Sequence, residues 1–178
     1  MTAWRQSVAP DLVFGYGSLA GSVPGVTPAN LAGHRRTWGV AMDNTQDIPA
    51  YKHYRTPDGQ RPAVRVAFLD LEEDPGTAVN GVCFPASGLE ELDARERNYV
   101  RRDVSDLVQG AAGRVWAYFG SPEGRRRRSE GEVVVCREYL EGVEGGFRRL
   151  GPREHQAFLD STDLGALPVW DLVRVDHR

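Results

Sequence analysis

Glu96 is the residue whose type and spacing first raise a chemical possibility. Residues 87–98 predict a helix: Ser87 and Glu90 have the S-x-x-E spacing of a capping box, and Leu89 and Leu92 supply an apolar stripe. At about 100° per residue from Leu89, Leu92 falls at about −60°, Asp93 at about +40° and Glu96 at about −20°. Glu96 is therefore expected between the two leucines that face the core, whereas Glu90 and Glu91 fall on the solvent side. Desolvation raises the pKa of a carboxylate on an apolar stripe toward the range useful for taking up and returning a proton. Two other readings stand beside this one: Glu96 pairs with a core-facing arginine such as Arg65, or it simply lies at the helix end.

The second feature is residues 12–19, Leu-Val-Phe-Gly-Tyr-Gly-Ser-Leu, an apolar strand that ends in a glycine-rich turn. Gly15 and Gly17 predict a backbone that bends sharply through φ > 0 or approaches a ligand closely, and such a turn can present consecutive N–H groups. A tight corner with no ligand is the plain alternative. Gly15 to Gly21 reads G-x-G-x-x-x-G, one residue longer than the dinucleotide fingerprint, and Pro24 and Pro28 interrupt the helix that fingerprint requires. Ser18 is not in a G-x-S-x-G elbow, so its hydroxyl is read as a hydrogen-bonding group and not as a nucleophile.

Other chemistries find little support. His34, His53, His155 and His177 lack metal-ligand spacing, and neither Cys83 nor Cys136 has a C-x-x-C partner. Both cysteines sit in apolar runs and are expected to be buried thiols in a reducing compartment. Arg125 to Arg128 read as a solvated hairpin tip.

The elements that must position these residues are mostly strands. Strands are expected over residues 12–16, 31–42, 63–71, 78–84, 99–108, 114–119 and 132–136. Residues 63–71 are apolar on both parities, as in a strand buried on both faces, and Asp74-Pro75-Gly76 predicts a hairpin turn to residues 78–84. Residues 23–30 and 43–62 are expected as loops, the second a long excursion of the kind that is often functional. Residues 137–150 and 152–161 read as helical segments, Pro152 suiting a first turn. Strands with one central helix and a helical tail fit an α+β mixed sheet or small barrel better than βαβ alternation.

Composition narrows the function classes. The 178 residues, 40% hydrophobic and 26% charged, suit one globular domain spanning the chain. The net charge of −3 offers no global attraction to nucleic acid or an anionic membrane. Lys52 is the only lysine among 22 Lys and Arg, a bias read as a genome preference and not as chemistry. The first ten residues hold no signal-peptide core and no window approaches a membrane span, so a soluble cytoplasmic protein is expected.

In order and spacing, the chain resembles the γ-glutamylcyclotransferase-like family. The likeness rests on Phe14-Gly15-Tyr16-Gly17-Ser18-Leu19, Leu31-Ala32-Gly33-His34-Arg35-Arg36, Gly81-Val82-Cys83-Phe84, and Leu92-Asp93-Ala94-Arg95-Glu96 followed by Tyr99. It covers most of the chain to about Val135, and the tail from Tyr139 matches more loosely. The resemblance implies a small mixed barrel-like α+β fold, and an amine-releasing cyclotransferase, of acyltransferase or lyase type, that turns a γ-glutamyl amino acid, peptide or amine into 5-oxoproline. It implies Glu96 as general acid/base, the backbone of Tyr16, Gly17, Ser18 and Leu19 as an anion-binding floor, and Tyr99 and Tyr139 beside the glutamyl group. No metal, cofactor or protein nucleophile is implied, and the only partner implied is a small γ-glutamyl molecule. Ala20-Gly21 departs from the glutathione-specific branch, which carries Ile or Met and then Trp there, and only two residues separate Glu96 from Tyr99. A non-catalytic protein that binds γ-glutamyl ligands with the same fold is the competing class.

Overall fold

The structure, a computed structural model, describes residues 9–177. Residues 1–8, most of the segment read for a signal-peptide core, lie outside the described residues, as does Arg178.

The fold is organised by a long strand pair. β2 (Thr27–Asp43) runs antiparallel to β4 (Arg65–Pro85) along most of its length. β4 is long enough to serve three partners: β1 (Leu12–Gly15) at its C-terminal end and β7 (Val133–Cys136) at its N-terminal end on one edge, and β2 along the other edge. β1 also pairs in parallel with β6 (Val115–Gly120), β6 pairs with β5 (Tyr99–Asp103), and β7 pairs with β8 (Val169–Trp170). The result is a mixed seven-stranded sheet, and a bridge from Leu31 to Val108 brings its β2 edge round toward the segment that follows β5. With five α-helices among the described residues, this is the mixed α+β fold that the sequence implied.

Several expectations are corrected. Residues 27–30 are strand and not loop: Pro28 is tolerated because β2 is an edge strand, where a missing N–H costs no ladder bond. Asp74-Pro75-Gly76 is no hairpin turn. It is a bulge in β4, across which the β2 partner passes from Ala78 (facing Ala32) to Glu73 (facing His34). Gly33 (φ 70°) and Gly76 (φ 93°) take the left-handed conformations that the bulge needs, and Thr77 Oγ1 donates to His34 O and Asp74 O at 3.0 and 2.8 Å. The strand expected through residue 108 stops at Asp103 and passes into a 3₁₀ turn, Ser105–Leu107.

The excursion over residues 43–62 contains β3 (Lys52–Arg55), which pairs with β9 (Val173–Asp176) in a separate two-stranded sheet. Buried Asn44 pins it. The Asn44 amide donates to Tyr54 O and Pro62 O at 3.0 and 2.9 Å and accepts from Tyr54 N at 2.7 Å.

The arginine run is not a solvated tip. It belongs to α3 (Pro122–Arg127), capped by Ser121, whose hydroxyl accepts from Gly124 N, with proline in the first turn. Arg125 pairs with buried Asp70, and Arg128 Nε donates to Trp38 O at 2.7 Å, so these two side chains face inward to acceptors while Arg126 stays exposed.

The helices expected at the tail form as α4 (Arg137–Leu150) and α5 (Pro152–Ser161), with Phe147 and Phe158 stacked at 4.6 Å. Both cysteines are free and buried, and burial raises the Cys83 thiol to about 11. In the core, Gly81 lies against the ring of Phe14, where a methyl group would sit 2.7 Å from Cζ. Gly81→Ala is expected to lower stability by about 1–3 kcal/mol through overpacking at the β1–β4 junction, measurable by urea denaturation.

Candidate active site

The glycine turn connects β1 to a short helix, α1 (Ser18–Ser22), which sequence reading missed. Neither Gly15 nor Gly17 has positive φ, and at Gly15 it is space, not a left-handed backbone, that selects glycine. A methyl group at Gly15 would meet Leu19 Cβ at 2.9 Å, closing off the fold-back of α1 over β1. At Gly17 it would lie 3.3 Å from the Tyr139 hydroxyl. The same economy holds α1 against α4, since a methyl at Gly146 would come within 2.6 Å of Gly21 Cα.

Arg36 fixes the turn from behind. This buried guanidinium donates to Tyr16 O at 2.9 Å and Asn80 O at 2.6 Å, reaches Ser161 and Thr162, and packs 5.0 and 4.9 Å from the rings of Phe147 and Phe158. The C-terminal helices and the glycine turn are thereby fastened to one side chain. The amides of Ser18 and Leu19 stand in the first turn of α1, where a helix supplies no backbone acceptor.

The expected helix over residues 87–98 is shorter, α2 (Leu89–Arg95). Gly88 and not Ser87 is its N-cap, and no side-chain cap bond forms, so the predicted capping box is absent. None of its residues is fully buried, and seven residues are too few to be stable without tertiary support. Glu96 is consequently the C-cap (φ −88°, ψ 51°), the helix-end reading, and does not sit on a helical apolar stripe. Nor does it pair with Arg65, whose Nη1 lies 2.8 Å from Asp43 Oδ1.

The Glu96 carboxyl is nonetheless desolvated, because the cap position turns it inward. Burial raises its pKa above the ordinary carboxylate value, opposed by the charges of Lys52 and Arg95. Glu96 lines a narrow inner cavity of about 30 Å³ together with Tyr16, Gly17, Ser18, Leu19, Tyr99 and Tyr139. All seven residues singled out from the sequence thus meet in one place. Tyr16 contributes ring and backbone only, its hydroxyl donating to Tyr118 O at 2.7 Å. The Tyr99 hydroxyl donates to Leu69 O at 2.7 Å. The Tyr139 ring stands edge-on to Phe68 and Trp38, with centroids at 5.1 and 6.1 Å. Burial drives the hydroxyl pKa of all three tyrosines above the usual value, so they are neutral hydrogen-bonding groups near neutral pH.

Ser18, Glu96, Tyr99 and Tyr139 also line a larger outer chamber of about 390 Å³. Its far wall comes from residues that sequence reading did not single out: Tyr51, Lys52 of β3, Phe68 of β4, Asn98, and Arg174 and Asp176 of β9. The one available signal was that Lys52 is the sole lysine of an arginine-rich chain, in a loop too long to be idle.

The histidines lie apart from this site. Among the described residues no group of three or more His, Cys, Asp or Glu could hold a metal ion. His34 bonds Ala32 O, His53 bonds His177, and His155 bonds Glu144. Among the described residues no helix is long and apolar enough to cross a membrane.

No protein-family model matches the chain, and no curated protein matches it either. Among solved structures the chain is similar to a gamma-glutamyl cyclotransferase, at 18% identity and a TM-score of 0.48 over 88% of this chain and 92% of that one. It is similar to an uncharacterized protein from Homo sapiens, at 19% identity and a TM-score of 0.48 over 87% and 89% of the two chains. It is also similar to a gamma-glutamyl cyclotransferase specific to glutathione from yeast, at 15% identity and a TM-score of 0.47 over 87% and 98%.

Proposed function

We propose that this chain is a cyclotransferase that converts a γ-glutamyl amino acid, peptide or amine to 5-oxoproline and releases the amine. The observation that carries the reading is the position of Glu96: a desolvated carboxyl with raised pKa, at the junction of the glycine-turn cavity and the outer chamber.

In this reaction the α-nitrogen of the glutamyl group attacks its own γ-carbonyl. A C–N bond forms, the carbonyl becomes a tetrahedral oxyanion, and the original amide C–N bond then breaks. Nucleophile and electrophile belong to one molecule, so the protein has to hold the chain folded, stabilise charge and move one proton. Glu96 takes the proton from the attacking nitrogen and returns it to the departing one, so no net proton is consumed on the enzyme. The first-turn amides of Ser18 and Leu19 bind the negative charge, either the α-carboxylate or the oxyanion. Tyr99 and Tyr139, neutral and held in place, border the glutamyl group.

The test is incubation of the protein with γ-glutamyl dipeptides, γ-glutamyl amines and glutathione, followed by quantitation of 5-oxoproline. Release of 5-oxoproline from at least one of them is the expected result. Binding of a γ-glutamyl compound without any 5-oxoproline would favour the non-catalytic alternative.

A further inference from the structure

The outer chamber holds a cation that the chemistry at Glu96 does not use. Lys52 projects from the first residue of β3 into the chamber, its ammonium 4.3 Å from the centroid of the Phe68 ring and 5.7 Å from that of Tyr51. It makes no ion pair among the described residues. Its cationic neighbour Arg174 is differently placed: both Nε and Nη2 reach Asp176 Oδ1, at 2.8 and 2.7 Å, so that charge is already met.

Burial, first, and the like charge of Arg174, second, lower the Lys52 pKa to about 8, while Glu96 and Asp176 act the other way. The ammonium therefore persists at neutral pH in a setting that disfavours it, and an anion entering the chamber would relieve that cost. Aromatic faces under Lys52 hold the group in position without neutralising it.

Geometry decides which part of a ligand Lys52 meets. Glu96 stands where the inner cavity opens into the outer chamber, so the bond that breaks lies at that junction. With the glutamyl end held at the first-turn amides of Ser18 and Leu19, the departing half of the molecule lies on the other side of that bond, toward the outer chamber. Lys52 lines the outer chamber and also a second one of about 390 Å³ beyond it, bounded by α1 and α4, with Ser18, Tyr139 and Arg174 shared between the two.

We propose that Lys52 is a specificity-determining residue, its ammonium binding a carboxylate on the leaving-amine side, so that γ-glutamyl amino acids and peptides are accepted in preference to γ-glutamyl amines. This rests on the cyclotransferase reading of the site. A simple leaving amine offers Lys52 nothing, and a leaving diamine brings a second positive charge against it and Arg174.

γ-Glutamyl-L-alanine and γ-glutamyl-ethylamide differ only in the alanine carboxylate, so their kcat/KM ratio isolates the proposed contact. Wild type is expected to favour the alanine compound by about 10–100-fold, the usual range for a hydrogen bond to a charged group. In Lys52→Met the preference should shrink to within about 3-fold, and in Lys52→Arg, which keeps a cation, most of it should remain. A wild type without preference, or a Lys52→Met that loses both substrates equally, would overturn the proposal. Equal loss would mean that Lys52 acts through the charge on Glu96. If neither compound is turned over, the cyclotransferase reading has failed and calorimetric binding decides about Lys52. A Lys52-dependent preference in binding then upholds the carboxylate contact, and absence of binding or of preference overturns it.

Discussion

Glu96→Gln is expected to lower 5-oxoproline release by about 10²–10⁴-fold, the range in which a positioned general acid/base contributes. Glutamine keeps the shape and hydrogen-bonding reach of the side chain but can neither accept the proton from the attacking nitrogen nor return it. The loss should fall on kcat, with binding of a γ-glutamyl compound retained, because the floor and the tyrosines are untouched. The pH profile supplies a second readout. Burial holds the Glu96 pKa above its ordinary value of 4.5, so the acid limb of the wild-type kcat/KM profile should lie above that value. The residual activity of Glu96→Gln should lack that limb. Stability should move the opposite way. Since the folded-state pKa is raised, ionised Glu96 disfavours the folded state; that cost is absent below about pH 4.5 and grows as pH rises through the folded value. Glu96→Gln should therefore melt above wild type near pH 7 and level with it near pH 4. Loss of activity together with lowered stability at both pH values would point to a disrupted fold and not to a missing proton carrier.

The resemblance read from the chain picked out seven residues that share one cavity, yet the physical reason first given for Glu96 was wrong in detail. Helical periodicity assigned it to an apolar stripe between Leu89 and Leu92, whereas α2 ends one residue before it and the cap geometry turns the carboxyl inward. Its burial comes from β3, β4 and the glycine turn, elements distant in sequence, and no local window carries that information. Lys52 and Arg174 were illegible for the same reason: they meet only because β3 pairs with β9 across more than half of the chain. Pro28 and Asp74-Pro75-Gly76 misled in a different way. Both are turn signals taken alone, and both are absorbed into strands because β2 is an edge and β4 bulges against it. The periodic segments were the reliable ones, residues 63–71 and the helices of the tail, where a repeated apolar pattern reports burial directly.

The arginine run gives the sharpest case, and the largest stability effect follows from it. Asp70 is fully buried in β4, in a niche that any side chain on Gly39 or Gly120 would fill. Asp70 Oδ1 accepts from Leu71 N and Gly120 N, each at 2.7 Å, while Arg125 Nε reaches Oδ2 at 2.8 Å. Arg125 also donates to Leu71 O at 2.9 Å, so a side chain assigned from sequence to a solvated tip closes a buried carboxylate from above. Arg125→Met should cost about 3–5 kcal/mol, because it leaves the carboxylate without a counter-charge. Asp70→Ala should cost at least as much, since two buried amides lose their acceptor as well; the remaining Arg125, 40% exposed, finds water and adds little. Asp70→Asn keeps the acceptor oxygen and the shape, so combining it with Arg125→Met should give a protein more stable than Arg125→Met alone. Urea denaturation of the four variants measures this, and a double variant no better than Arg125→Met would show that packing of α3, and not the buried charge, sets the cost. Leu69, one residue before Asp70, supplies the carbonyl that holds Tyr99, so loosening β4 at this point should also weaken γ-glutamyl binding while leaving the Glu96 acid limb where it was.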